Sequence, residues 1–488
     1  MRQLIINKKT DDERIALLEN GRLAEVWIKE KNTIVGNIYK GKVTKVLPGM
    51  EAVFVDLGQG RNGYLHRNDI MSYFETSRTN EALKNKNVRH FISQGEEVIV
   101  QVVKESGEFK GPKVTMNIEL RSPFFVYQPF GRTVAISKKI ISQEERKRLQ
   151  LLGETLCSNK GGIVFRTAAE RADDQTIKKW FDDMLSSFEQ QLKSKKVPSL
   201  LFGSESFVEQ IIAEISPHVL DEIVIDDIST VKELEKNYGD LFPFSINFYS
   251  ENENIFSYYA IEHEIEKALK KIVWLKNGAF IVIEETEAMI VIDVNTGKFS
   301  GKNTYRDTVL KTNEEAAKEI ARQLRLRNLS GIILIDFIDM EKKDRSRILR
   351  LFQKELEKDR IFTKVIGFTE LNILQLTRKK TRKSLSELLL EPCPACGGTG
   401  RKRTVESIAF ELERTLLEHA GSDDEAVLVE AAPEVCDFFT CEYEKHLKKL
   451  EELIGMKIFF SPSDHVKGFE IRQWGTEEEV ALRISKMY

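Results

Sequence analysis

Hydrophobic and polar positions along this chain predict alternating strands and helices, and two apolar runs stand out because each ends in acid. Residues 288–292 are Ala-Met-Ile-Val-Ile, followed by Asp293, Val294 and Asn295. Residues 331–335 are Gly-Ile-Ile-Leu-Ile, followed by Asp336, Phe337, Ile338 and Asp339. Short runs rich in β-branched residues predict strands of a sheet covered on both faces. Between them, over about 303–327, Val309, Ala316, Ala317, Ile320 and Leu324 recur at helical spacing, with Arg322, Arg325 and Arg327 as the charged positions. That pattern predicts an amphipathic helix. Strand, helix, strand is a crossover unit, with the two strands parallel and both acidic ends at one edge of the sheet. Side chains alternate along a strand, so Asp293 and Asn295 share a face while Asp339, three past Asp336, reads as pointing away.

The rest of the chain follows in order. Strand patterns at 4–6 and 23–28 are too little for a domain and are expected to complete a sheet formed later. From about residue 36 short strands alternate with turns, at 41–46, 51–58, 63–66 and 97–104, the last closing a barrel. Val53, Val55 and Leu57 share a parity that suits the interior, which turns Phe54 outward, and Tyr64 can be placed outward opposite Leu65. Two outward aromatics among Lys40, Lys42, Lys45, Arg61 and Arg67 suit base stacking with phosphate attraction. Lys104 and Lys110 are further RNA-contact candidates. Next, 161–165 reads as a strand running into Arg166 and Thr167, with a helix from 173 to 195. An Arg fork and a hydroxyl beside a helix start can clamp a phosphate, although an Arg there can equally pair with a surface acid. Further on, 223–227 predicts a strand with a polar end at Asp226 and Asp227. Residues 257–272 predict one helix with Tyr258, Ile261, Ile265, Leu269 and Ile272 inward. Residues 342–357 predict a helix, 365–368 a strand, and 371–380 the opening of a basic helix whose Arg378, Lys379, Lys380, Arg382 and Lys383 face either RNA or solvent. A helix at 404–417 and strands at 426–429 and 457–460 predict a small α/β tail.

Composition narrows this little. The 488 residues are 41% hydrophobic, enough for several cores, and the net charge of −3 does not announce a nucleic-acid partner. Binding electrostatics must therefore be local, as in 36–125, where 13 Lys/Arg face 10 Asp/Glu. No apolar run approaches the roughly 20 residues of a membrane span, and the start lacks the apolar core of a signal peptide. The cytoplasm is the expected location. Five unevenly spaced cysteines do not make a disulfide framework.

Two sites carry candidate chemistry. Carboxylates held close repel unless a cation or proton intervenes. Oxygen ligands without His or Cys favour magnesium or manganese, which polarises a phosphoryl oxygen and activates water. The residues alone leave open that Asp293 and Asp336 merely end their strands. The second site is Cys393-Pro394-Ala395-Cys396-Gly397-Gly398-Thr399-Gly400, one half of a tetrahedral zinc site. No second Cys-x-x-Cys exists, so two chains supplying two cysteines each is the simplest completion. Cys436 and Cys441, at a different spacing, and a redox or inert pair stay open.

The run Glu314-Glu315-Ala316-Ala317-Lys318-Glu319-Ile320-Ala321-Arg322-Gln323-Leu324-Arg325-Leu326-Arg327, followed by Ile335-Asp336-Phe337-Ile338-Asp339-Met340, resembles the core signature of the ribonuclease E/G family. The resemblance extends from Ile38 to Gly400. It implies an α/β multidomain fold: a ribonuclease H-like subdomain (1–35 and 215–278) with inserted S1, OB-fold, barrel (36–124) and 5′-sensor (125–214), a DNase I-like catalytic domain (279–390), a zinc-link (391–402) and a small C-terminal domain (403–488). It also implies that Asp293 and Asp336 bind catalytic Mg2+ with Asn295 in support, and that Arg166, Thr167 and Val126 sense a 5′-monophosphate. Phe54, Tyr64, Lys104 and Lys110 would contact RNA, and Arg378 would lie near the scissile phosphate. Cys393 and Cys396 would share Zn2+ across a homodimer, or within a tetramer. The implied activity is magnesium-dependent cleavage of single-stranded RNA to 3′-hydroxyl and 5′-phosphate ends, in RNA processing and decay. The short tail makes the chain look like the shorter members of the family. A non-catalytic RNA-binding scaffold in ribosome maturation, using the S1 domain alone, and a nuclease acting on DNA are the alternatives.

Overall fold

The computed structural model describes residues 1–30, 33–73, 86–104, 111–158, 161–193, 196–203, 206–215, 219–239, 242–297, 305–442 and 444–487. They form two compact units, Met1–Leu388 and Leu389–Tyr488.

The first unit opens on an antiparallel meander of Arg2–Asn7, Arg14–Glu19 and Arg22–Ile28. Glu222–Ile225 pairs parallel with Arg2–Asn7, and Ser245–Phe248 extends the sheet beyond it. The opening residues thus complete a sheet made with later ones, as the pattern suggested. The Arg14–Glu19 strand escaped that pattern because Ile15, Ala16, Leu17 and Leu18 are all buried and leave no alternation. Asp226 accepts backbone N–H bonds from Lys8 and Lys9, and Asp227 caps the Ile228–Tyr238 helix, so both end a strand as expected.

The barrel follows. Ile38–Leu47 pairs with both Ala52–Asp56 and Glu97–Lys104, which closes it. Val53, Val55, Leu57, Leu65, Val100 and Val114 fill its interior. Ser199–Phe202, assigned by sequence to the next domain, pairs with the start of Ile38–Leu47 instead. A four-stranded sheet comes next in the chain, in the order Val134–Ile136, Gly162–Phe165, Phe125–Gln128, Leu120–Arg121. The expected helix spans Asp174–Leu192 with Asp173 as its N-cap.

The single helix expected over 257–272 is broken. Ile255–Tyr258 and Ile261–Ala268 are separate helices, parted at Ala260, whose φ of 54° is left-handed. Ile261 and Ile265 are inward, but Tyr258 is exposed, and Ile272 is exposed and opens a strand.

A six-stranded sheet completes the unit, in the order Ile272–Trp274, Phe280–Glu285, Met289–Asn295, Gly331–Asp336, Ile373–Arg378, Thr363–Phe368. Met289–Asn295 and Gly331–Asp336 are neighbours and parallel, joined by the helix Tyr305–Leu326. That helix and Lys342–Leu356 cover one face, packing Ala316, Ala317, Ile320, Leu324, Ile348 and Phe352 on Ile281, Ile292, Ile333, Ile335 and Leu374. The other face is open, with Val291, Ile332 and Ile366 exposed on it. The helix charges have a specific use. Arg325 is buried and donates to Glu19 and Glu25, with N–O distances of 2.9–3.2 Å, and Arg322 donates to Glu319 and to the Leu23 carbonyl. Both tie the helix to the N-terminal sheet.

The basic helix expected over 371–380 is a strand. Leu374, Leu376 and Arg378 are buried while Gln375 and Thr377 are not, a period of two that only a strand can satisfy. The second unit holds a sheet in the order Lys457–Pro462, Ala426–Ala431, Phe469–Gly475, packed by the helices Val405–Leu417, Glu444–Ile454 and Glu477–Met487.

Candidate active site

The parallel register pairs Asp293 directly with Asp336. Both side chains stand on the open face, because Ile292, Val294 and Ile335, of opposite parity, point into the core. Asn295 shares that face and donates from Nδ2 to Asp293 Oδ2 at 2.7 Å. Just past Asp336 the chain is clamped by Asn313, which donates to the Ile338 carbonyl at 2.8 Å and accepts the Ile338 N–H at 3.1 Å. Asn313 is fully buried in the middle of a helix, and nothing local in the sequence singles it out. Asp336 titrates above the ordinary aspartate range: partial burial disfavours its charge, and the charges of Asp293 and then Asp339 add to that. The charge of Asp339 therefore reaches Asp336. The parity argument against it fails because the strand ends at Asp336.

Among the described residues no group of three or more His, Cys, Asp or Glu could hold a metal ion. Asp293 and Asp336 present two carboxylates side by side on the open face. That fits magnesium, which keeps several waters and takes further oxygens from substrate phosphates.

Arg378 requires a correction. It lies opposite Gly331 in the antiparallel register, whereas Asp336 lies opposite Ile373. Five residues of strand, roughly 17 Å, separate it from the acids, and it points to the other face. It is 3% exposed and donates to both Asp359 oxygens at 2.7 and 3.3 Å, and to Asn328 and the Leu329 carbonyl at 2.9 Å each. Its fork is occupied in holding the sheet together.

On the barrel, Phe54 and Tyr64 face one another across two strands on the outer surface, half-buried, with ring centroids 6.3 Å apart. His66 continues the aromatic row at 6.5 Å from Tyr64. Lys45 is paired with Phe54, and Lys113 is paired with both Tyr64 and Lys104. Lys113 was not singled out by sequence, since only the barrel pairing brings it to the aromatics. Lys104 is exposed at a strand end, and Lys110 lies outside the described residues.

In the four-stranded sheet Val126 is paired with Val164, two residues before Arg166. Arg166 takes the Phe124 carbonyl with its backbone N–H at 2.8 Å and the Ser122 carbonyl with its guanidinium at 3.3 Å. The Thr167 hydroxyl lies 3.2 Å from that of Ser137, a neighbour sequence did not pick out. Val126, Arg166 and Thr167 thus gather at one end of the sheet. A cleft of about 1080 Å³ between this sheet and the barrel, lined by Gln101, Arg121, Ser122 and Trp180 among others, lies away from the acid pair.

In the second unit the Cys396 thiol accepts the Gly400 N–H at 3.3 Å. That bond and a second from the Gly398 N–H hold it below the ordinary thiol range. Gly397 closes the turn onto the Cys393 carbonyl at 2.8 Å with a left-handed φ of 58°. Cys436 does not complete this site. It is buried in the core of the tail, where burial pushes its thiol up to about 11. The Cys441 side chain lies outside the described ones.

Comparison with known proteins shows the family. Residues 119–381 match the model of the ribonuclease E/G family, 392–473 that of the RNase E/G thioredoxin-like domain, and 33–114 that of the S1 RNA binding domain. Ribonuclease G of Haemophilus influenzae is 40% identical over 471 residues, which cover 93% of this chain and 96% of that protein. Ribonuclease G of Escherichia coli is 35% identical, over 96% of this chain and 99% of that protein. Ribonuclease E of a Nostoc species is 36% identical, over 79% of this chain and 57% of that protein. With one family model spanning more than half of its length and relatives matching it almost end to end, the chain belongs to the ribonuclease E/G family.

Proposed function

We propose that this chain is a magnesium-dependent endoribonuclease that cuts single-stranded RNA and is stimulated by a 5′-monophosphate. The observation that carries the reading is the direct pairing of Asp293 with Asp336 on an open sheet face, inside a chain related to ribonuclease G. Asp293 and Asp336 hold the cation, and Asn295 fixes Asp293 by its 2.7 Å hydrogen bond. When bound, magnesium neutralises charge on the scissile phosphate and supplies an acidified water. An open face suits a substrate that arrives as an extended strand. Phe54 and Tyr64 stack its bases and Lys104 attracts its phosphates, with Lys113 beside them ion-paired to Asp69 at 2.9 Å.

Arg166 and Thr167, with Val126 beside them, receive the terminal 5′-phosphate. A pocket built on these residues would prefer a monophosphate to a bulkier triphosphate. The N-terminal sheet is read as the ribonuclease H-like subdomain and the six-stranded sheet as the DNase I-like one. Cys393 and Cys396 supply half of a zinc site that a second chain completes as a homodimer, consistent with the Cys396 thiol held low.

The test is incubation of a single-stranded RNA, bearing a 5′-monophosphate or a 5′-triphosphate, with and without Mg2+. Internal cuts leaving 5′-phosphate and 3′-hydroxyl ends, only with the metal and faster from the monophosphate, are expected. Trimming from an end, or cutting in a chelator, would contradict the reading.

A further inference from the structure

The open face of the six-stranded sheet carries a row of residues one step beyond the acids. Trp274, Phe280 and Asn295 are cross-strand partners on three neighbouring strands. The adjacent row is Ile272, Val282, Asp293 and Asp336. Partners in register share a face, so the aromatics and the acids lie on the same side. Trp274 is 65% exposed there, while its neighbours Val273 and Leu275 turn into the core. Phe280 is half-buried beside it, with ring centroids 5.1 Å apart at 52°. From strand spacing, the backbone of Phe280 lies about 8 Å from that of Asp293, and that of Trp274 roughly 12 Å. This is the reach of a nucleobase from a phosphate seated at the acids. Lys276, exposed in the turn between the two aromatic strands, adds positive charge at the same edge.

We propose that Trp274 and Phe280 form a stacking platform for one nucleobase flanking the cleaved phosphodiester. The proposal rests on Asp293 and Asp336 being the cleavage centre. Substrate must lie across a face that carries this centre, whereas a second protein seated over the aromatics would crowd the acids out of reach. Stacking accepts every base but holds purines better, so the platform biases cutting toward sites with a purine at that position.

The experiment uses substrates with a single abasic nucleotide moved through the positions around one cut. Wild type loses about tenfold in kcat/KM when the abasic nucleotide occupies the platform position. Trp274→Ala shows that loss already with intact RNA, and no further loss from the abasic nucleotide there. Trp274→Phe, which keeps an aromatic face, restores most of the difference. A matching abasic profile in wild type and Trp274→Ala overturns the proposal. So does a change of oligomeric mass in Trp274→Ala without a change of profile, which assigns the face to a second copy. Absence of cutting by wild type on every RNA removes the cleavage reading itself, a result distinct from either. Quenching of tryptophan emission by RNA in the Asp293→Asn protein, lost when Trp274→Phe is added, reads the contact without any cleavage.

Discussion

Asp293 and Asp336 repel each other across one backbone hydrogen-bonding distance, and Asp339 adds to the strain on Asp336. An aspartate titrating above its ordinary range binds its proton more tightly in the folded state than in the unfolded one. Stability therefore falls as pH rises from the ordinary aspartate range through the raised folded value. In a chelator, Asp336→Asn is expected to melt at a higher temperature than wild type at neutral pH. The difference should vanish well below the ordinary aspartate range, where Asp336 is protonated in both states. Thermal melts with EDTA at the two pH values check this, and a lower neutral-pH melting temperature for the variant would contradict it. At this scale much was legible. A short apolar run ending in Asp-x-Asn, and a second ending in Asp, announced strand-end carboxylates because strand parity is local. Asn313 and Lys113 were not legible, since the partners of each belong to elements distant in sequence.

Among the elements, the strand–helix–strand crossover was readable because a helix packed between two sheets keeps its apolar period. Its arginines read only as charged positions, with no sign of where they pair, and Arg325 is buried between Glu19 and Glu25. Periodicity cannot distinguish a solvated charge from one paired with a sheet some 300 residues away. The stretch 371–380 was misread for a related reason: the basic run at its end drew attention from the alternation of Leu374, Gln375, Leu376 and Thr377. The correction has a measurable consequence. Arg378→Ala leaves Asp359 buried without its partner and is expected to cost about 3–5 kcal/mol. It should lower the denaturant midpoint while leaving the RNA affinity of the folded protein unchanged. A stable variant with weakened RNA binding would return Arg378 to the substrate.

In the proposed reading the surfaces that grip RNA are separate from the one that cuts it. The barrel presents a row of aromatics with Lys45 and Lys113, a second sheet gathers Arg166 and Thr167, and the acids sit on a third sheet. The near-neutral net charge fits this proposed division, in which attraction for RNA is confined to patches and the face carrying Asp293 and Asp336 is acidic. Barrel closure by 97–104 was legible from alternating strands. The addition of Ser199–Phe202 to the barrel was not, because an edge strand recruited from far along the chain leaves no local signal. The turn at Cys393 and Cys396 was legible from its glycines, and the Gly400 N–H bond helps to hold the Cys396 thiol below its ordinary range.

The central claim is that the acid pair cuts RNA which other surfaces hold. Single-turnover cleavage of a 5′-monophosphorylated single-stranded RNA in Mg2+ tests it, with wild type and Asp293→Asn compared alongside their affinities for the same RNA. Internal cutting by wild type, loss of about a thousandfold or more in rate for the variant, and near-equal affinity are expected. Magnesium-dependent cutting retained by Asp293→Asn would contradict the site, and binding without cutting by both proteins would make the chain an RNA-holding scaffold.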